Sequence, residues 1–244
     1  AVRGVEVVFH QGALPSVPRS VQDPLTTSAV TIEGTLNVLL AARDEDVRRV
    51  VFASSSSVYG NGGTLPRVES AFPDPISPYA VAKLAAEKFC ISFNRVYGLE
   101  TVALRYFNVF GPRQDPTSQY AAVVPRFITR VRAGEPVQIY GDGAQSRDFT
   151  YVANIVEGNV RAAEAAEANG AVLNLATGRS ASVNELADQI GAILDKPAQK
   201  EYLPARTGDV RDSWADVGEA KRLLGWEPHV SLEDGLRLTA ESLE

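Results

Sequence analysis

Three short apolar runs separated by two stretches of helix length constrain this chain more than any other feature. The runs are Val5 to Phe9, Arg49 to Ala53 and Glu100 to Tyr106, each rich in β-branched or aromatic residues, as buried strands are. Between the first two, Asp23-Pro24 opens a stretch in which Ala29, Ile32, Leu36, Leu39 and Leu40 keep helical spacing to about Arg43. Proline near a first turn and that recurrence predict a helix with one apolar face. Between the second and third, Asp74-Pro75 and Ser77-Pro78 precede a predicted helix from Tyr79 to Tyr97, closed by Gly98. Strand, helix, strand, helix, strand is the rhythm of an open parallel sheet covered by helices.

After Gly111-Pro112-Arg113 the alternation becomes less uniform. Helices are expected over Val123 to Arg132, Val152 to Ala168 and Ser182 to Leu194, and strands over Val137 to Tyr140 and Ala171 to Ala176. Shorter elements follow around Lys221 to Leu224 and Leu232 to Leu243. Against roughly 150 residues for a typical domain, the 244 residues make one large domain or two modest ones. The 24 Lys and Arg against 30 Asp and Glu leave a net charge of −6, which argues against nucleic acid as a partner. One cysteine, Cys90, excludes an internal disulfide, and with only His10 and His229 beside it no zinc or other metal site is expected. No apolar run of membrane-spanning length and no signal-peptide pattern is read, so the expectation is a cytoplasmic protein without a membrane partner.

Chemistry concentrates where the runs end. Tyr79-Ala80-Val81-Ala82-Lys83 sets a phenol and an ammonium on one helix face, a turn apart. A nearby ammonium stabilises a phenolate, so such a pair can move protons, although the same spacing recurs in ordinary helices. Ser54 to Ser57 leave the second strand, and Tyr106-Phe107-Asn108 leave the third. Ligands of open parallel sheets bind at these carboxyl ends, so three consecutive exits with polar groups point to one site.

Five ordered stretches then carry a family resemblance. They are Phe52-Ala53-Ser54-Ser55-Ser56-Ser57-Val58-Tyr59-Gly60, Ser77-Pro78-Tyr79 to Lys83, Leu104-Arg105-Tyr106-Phe107-Asn108-Val109-Phe110-Gly111-Pro112, Ser146-Arg147-Asp148-Phe149, and Arg206-Thr207-Gly208-Asp209. With these the chain resembles the extended short-chain dehydrogenase/reductases, and within them the UDP-sugar 4-epimerases, from Val7 to Trp226. The resemblance implies a Rossmann-like parallel sheet over 1–110 and 150–179 that binds NAD, and a smaller α/β substrate domain over 111–149 and 180–244. It implies Ser55, Tyr79 and Lys83 as the catalytic set, with Tyr79 the base, Ser55 on the reacting oxygen and Lys83 on the nicotinamide ribose. Gln11, Gly12, Ala13, Leu14, Thr31 and Phe107 stand at nicotinamide-side positions. On the UDP-sugar side, Arg147 and Arg206 fall on diphosphate positions, Asp209 on a uridine ribose contact and Asn108 beside the sugar or its phosphate. Gln138 and Tyr140 border the uracil, and Ser213 falls on a gate beside the sugar 2-substituent, small enough to admit an N-acetyl group. Related 4,6-dehydratases carry an Asp-Glu pair where this chain has Ser56 and Ser57, which favours the epimerase outcome. A homodimer through the helices starting near Asp23 and Tyr79 is also implied.

The family's glycine-rich strand-to-helix turn for the cofactor pyrophosphate has no counterpart here. The nearest cluster, Gly60-Asn61-Gly62-Gly63, has Leu65 where the pattern requires glycine. The expectation is a chain short of the family's N-terminus by on the order of 70 residues, part of a Rossmann unit, with NAD binding weakened. Two other readings stay open, a non-catalytic nucleotide-sugar-binding protein and a reductase of a 4-keto sugar nucleotide.

Overall fold

A computed structural model describes residues 2–115, 122–205 and 210–243. The first strand, β1 (Val7–His10), leads to a short helix α1 (Val17–Gln22), then to α2 (Pro24–Ser28), a π-helical turn over Ala29–Glu33, and α3 (Gly34–Asp44). Strand β2 (Arg49–Ser55), helix α4 (Pro78–Tyr97) and strand β3 (Glu100–Tyr106) follow within a residue or two of the expected bounds. The departure is α1, in a stretch where Gly12, Pro15 and Pro18 predict a loop after the first strand. Ser16 accepts a hydrogen bond from the Arg19 amide at 3.2 Å, and Pro18 sits in the first turn, where its missing N–H costs nothing.

The remaining elements are β4 (Val109–Phe110), α5 (Val123–Ala133), β5 (Val137–Tyr140), β6 (Ser146–Arg147), β7 (Thr150–Tyr151), α6 (Val152–Glu164), β8 (Val172–Leu175), β9 (Ala181–Ser182), α7 (Val183–Ile193), β10 (Lys200–Leu203), β11 (Asp212–Ser213), α8 (Gly218–Leu224) and α9 (Leu232–Glu241). Helix α6 is shorter than its expected span, which continues as a 3-10 turn over Ala166–Ala168. The two-residue strands and β10 were not expected, since so short a ladder carries no periodic signal.

The main sheet runs β1-β2-β3-β8 and is parallel throughout. Alternate residues of β2 feed opposite cores. Val50 and Phe52 join Leu39 and Phe93 of α3 and α4 on one face, while Val51 joins Leu104, Leu173 and Trp226 on the other. Burial on both faces is why these strands read as unbroken apolar runs rather than alternating ones. A separate core of Phe127, Ile128, Ile139, Phe149, Leu186 and Leu236 gathers α5, α7 and α9 around the β5–β10 pair.

Across Pro24–Asp44 the helical segment has 21 residues and a mean hydropathy of 1.2, enough by length and composition to cross a membrane, which the sequence reading did not anticipate. It packs along α4 in the fold, with Leu39 and Ala42 wholly buried in the core.

Candidate active site

In a parallel sheet every strand's carboxyl end lies along one edge. The exits of β1, β2 and β3 here open into a cavity of about 750 Å³, a size typical of small-molecule sites. Gln11, Ser55, Tyr79 and Lys83 line it from the main sheet and α4, and Asn108, Arg147 and Ser213 line it from the other side.

Helix α4 places two of these side chains. Its N-cap Ser77 accepts from the Ala80 amide at 3.2 Å, Pro78 fixes the first turn, and Gly98 ends the helix in the left-handed conformation at φ 72°. Tyr79 and Lys83 follow the cap directly and face the serine exit of β2. Ser55 Oγ accepts from the Ser57 amide at 3.2 Å and the Ser57 hydroxyl at 2.9 Å. With its acceptor side occupied, the Ser55 proton is free to point at Tyr79, to which it is hydrogen-bonded. Burial raises the Tyr79 phenol above its ordinary range and the Ser55 bond opposes that rise. Burial thus favours the neutral phenol and the Ser55 bond the phenolate, and Lys83 is not what perturbs Tyr79.

Lys83 is buried at 3 % exposure, donates to the Ala53 carbonyl at 2.7 Å and lies 5.0 Å over the Phe52 ring. Desolvation lowers its pKa to about 8. One carbonyl occupies one of three ammonium protons, so two remain for ligand hydroxyls. His10 is bonded to Thr35 and held below the usual imidazole range by burial first and Lys83 second, which keeps it neutral.

Beneath the serines lies a fully buried ion pair. Arg105 grips Glu87 through Nε at 2.9 Å and Nη2 at 2.7 Å, and Ser54 donates to the same carboxylate at 2.7 Å. Glu87 is one turn beyond Lys83 on α4, and Arg105 immediately precedes Tyr106, so the pair links all three elements that carry the site. The nearby glycine cluster serves the loop itself. Arg67 donates to the Gly60 and Gly62 carbonyls, and a Cβ at Gly60 (φ 61°) would fall 1.8 Å from the Asp74 carbonyl oxygen.

Of the remaining expected residues, Ala13 and Leu14 line the cavity and Gly12 lies exposed between Gln11 and Ala13. Thr31 is buried in the π-helical turn, off the cavity, and its hydroxyl has no hydrogen-bond partner among the described residues. Phe107 is buried against Tyr59 behind the wall, while its neighbour Tyr106 lines the cavity and donates to Asn159 at 2.8 Å. Gln138 and Tyr140 stand on β5, away from the lining. Arg206 and Asp209 lie outside the described residues. Arg19, Gln114 and Asp115 line the cavity without having been singled out. Arg19 comes from α1, which was itself unexpected; Tyr106 was within reach, since it ends β3 beside Asn108.

A parallel sheet with a serine, a tyrosine and a lysine gathered at its carboxyl edge defines a short-chain dehydrogenase/reductase with a Rossmann-like fold. More narrowly, the chain belongs to the NAD dependent epimerase/dehydratase family, whose profile matches residues 1–176. It is similar to the UDP-glucose 4-epimerase of Mycolicibacterium smegmatis, 39 % identical over 237 residues, covering 97 % of this chain and 75 % of that protein. The UDP-N-acetylglucosamine 4-epimerase from Methanobrevibacter ruminantium, solved with UDP-N-acetylmuramic acid, superposes with a TM-score of 0.95 at 41 % identity, covering 99 % of this chain and 77 % of that one. The UDP-glucose 4-epimerase of Thermotoga maritima with UDP-glucose gives 0.94 at 42 % identity, covering 98 % and 77 %.

Proposed function

We propose that the chain acts as an NAD-dependent UDP-sugar 4-epimerase, interconverting UDP-glucose and UDP-galactose and admitting N-acetylated forms. The observation that carries this reading is the convergence of Ser55, Tyr79 and Lys83 on one wall of the cavity that Asn108, Arg147 and Ser213 line from the other. The donor set fits the cofactor, because the two free Lys83 protons suit ribose hydroxyls and the neutral His10 adds no competing charge. When bound in its oxidised form, NAD would supply reversible hydride acceptance at the sugar C4, with Lys83 holding it.

Within this reading Tyr79 acts as the phenolate, the form that the Ser55 hydrogen bond favours against burial, and its Oη takes the proton from the sugar 4-hydroxyl and later gives it back. With the sugar bound, Ser55 turns the proton it directs at Tyr79 toward the reacting oxygen, because both Ser57 donors occupy its acceptor side. Arg147 supplies a guanidinium to the diphosphate, the part of the ligand that suits a cation in an otherwise acidic chain. Ser213 lines the cavity from β11, and its short side chain is suited to admit a bulky sugar 2-substituent. Ser56 and Ser57 offer no acid–base pair for eliminating water, which favours epimerisation over dehydration.

The cofactor side of this reading lies in 1–110 with 150–179 and the substrate side in 111–149 with 180–244; the separate cores on the main sheet and around β5–β10 support two units, but Ala220, Leu224 and Trp226 pack into the main-sheet core, so the α8 stretch goes with the cofactor side. A homodimer through α2 and α4 is part of the same proposal, supported by a groove of about 450 Å³ lined by Pro24, Ile32 and Val81 and by Leu25 at 82 % exposure. A cytoplasmic setting is supported by the single buried, free Cys90.

Product analysis after incubation with NAD+ and UDP-glucose tests the reaction, and calorimetry with UDP-glucose tests the substrate. UDP-galactose without a net oxidised or reduced sugar is expected, together with turnover of UDP-N-acetylglucosamine. Accumulation of a keto sugar, or no UDP-glucose binding, overturns the reading.

A further inference from the structure

Asp148 is completely buried, and its carboxylate is held by a ring of neutral donors. The Thr177 amide and hydroxyl reach Oδ1 at 2.7 and 2.6 Å, the Gly178 amide reaches Oδ2 at 3.0 Å, and the Ala215 amide and the Thr150 hydroxyl complete the set. Thr177 and Gly178 leave the main sheet just past β8, whereas Ala215 lies just past β11. The carboxylate therefore fastens the exit of the main sheet to the segments on the far side of the cavity.

The backbone of the same residue reaches the cavity-lining residues. Arg147 precedes it, the Asp148 amide donates to the Ser213 carbonyl at 2.8 Å, and Asn108 Nδ2 donates to the Asp148 carbonyl at 3.3 Å. Asn108 has φ 33°, a conformation that asparagine tolerates but that persists only when its surroundings hold it. Neither Asp148 nor Thr177 lines the cavity, although Asn108, Arg147 and Ser213 all do.

We propose that Asp148 is a positioning residue for the nucleotide-sugar, fixing Asn108, Arg147 and Ser213 relative to the main sheet without touching the ligand. The ligand class rests on the function proposed above; the geometry does not. The physical reason is the cost of loosening it. Without the carboxylate oxygens, the part-buried amides of Thr177 and Gly178 and the buried amide of Ala215 lose their acceptor, and a donor left unsatisfied away from water is expensive enough for the segment to shift instead.

Thr177 allows a test in which shape and hydrogen bonding are separated. Thr177→Val keeps the volume and loses the hydroxyl, while Thr177→Ser keeps the hydroxyl and loses the methyl group. UDP-glucose affinity by calorimetry is expected to fall about tenfold in Thr177→Val, to stay near the parent value in Thr177→Ser, and to fall about a hundredfold in Asp148→Asn. Amide hydrogen exchange over residues 108–112 and 211–215, run alongside on the unliganded proteins, is expected to quicken in Thr177→Val and not in Thr177→Ser. Equal affinity in both Thr177 variants, or a larger loss in Thr177→Ser, overturns the positioning role in favour of packing. If Asp148→Asn does not fold, the Thr177 pair decides alone. If the unaltered chain fails to bind UDP-glucose, the proposed function and the ligand named here fall, and the exchange rates still decide whether Asp148 holds the three residues in place.

Discussion

Lys83 shows how one buried side chain ties chemistry to stability. Its ammonium is disfavoured in the fold, with a pKa of about 8 against an ordinary 10.5, so the unfolded chain holds that proton more tightly. Stability therefore rises with pH across that window, by roughly 3 kcal/mol from this group. Lys83→Met removes the term: urea titrations at pH about 7 and about 10 are expected to show the parent gaining stability and the variant losing that gain. Tyr79→Phe deletes the proton that the phenol exchanges and leaves the ring. Product assays are expected to lose about 100- to 10,000-fold in rate, with UDP-glucose affinity nearly unchanged. Both residues were legible in the sequence, because a spacing of four on a capped helix fixes a shared face. Their electrostatics were not: the expectation that Lys83 lowers the Tyr79 pKa gives way to burial, which depends on what the rest of the fold packs around the phenol.

Helix α4 bridges the site and the core. Tyr79 and Lys83 face the cavity, and one turn further on Glu87 turns the same stripe into the interior, where it meets Arg105 and Ser54. Removing one member leaves an uncompensated buried charge. Glu87→Gln or Arg105→Met alone is expected to cost about 3–5 kcal/mol, and Glu87→Leu combined with Arg105→Met to recover most of it, read as melting temperatures and denaturant midpoints. Arg105 also stacks over Tyr59 at 4.6 Å, so the pair supports the turn that carries Ser55 to Ser57. The ends of α4 were readable from Ser77-Pro78 and Gly98 because caps are local chemistry. The partnership of Glu87 with Arg105 was not, since it joins positions on different elements that only sheet packing brings together. Helix α1 was missed because one serine cap and a proline make a weak signal over six residues.

Across the whole molecule, α2 and α4 leave an apolar surface in which Leu25 is 82 % and Val81 51 % exposed. Patches of this kind on a folded chain mark association surfaces. Leu25→Asp with Val81→Asp is expected to convert the proposed dimer to a monomer in sedimentation velocity, with UDP-glucose affinity retained because neither residue lines the cavity. The strands of the main sheet with the helices between them, its parallel order, the Tyr79–Lys83 spacing on α4 and the serine exit of β2 were all determined by the amino-acid sequence, because each rests on periodicity or capping within one segment. Only the tertiary structure decided that Tyr106 rather than Phe107 faces the cavity, that Gly60 to Gly63 serve Arg67 and Asp74, and that Asp148 joins three cavity residues to the exit of β8. The physical reason is that these outcomes depend on which groups lose water together, and burial is a property of the assembled fold that no single segment carries.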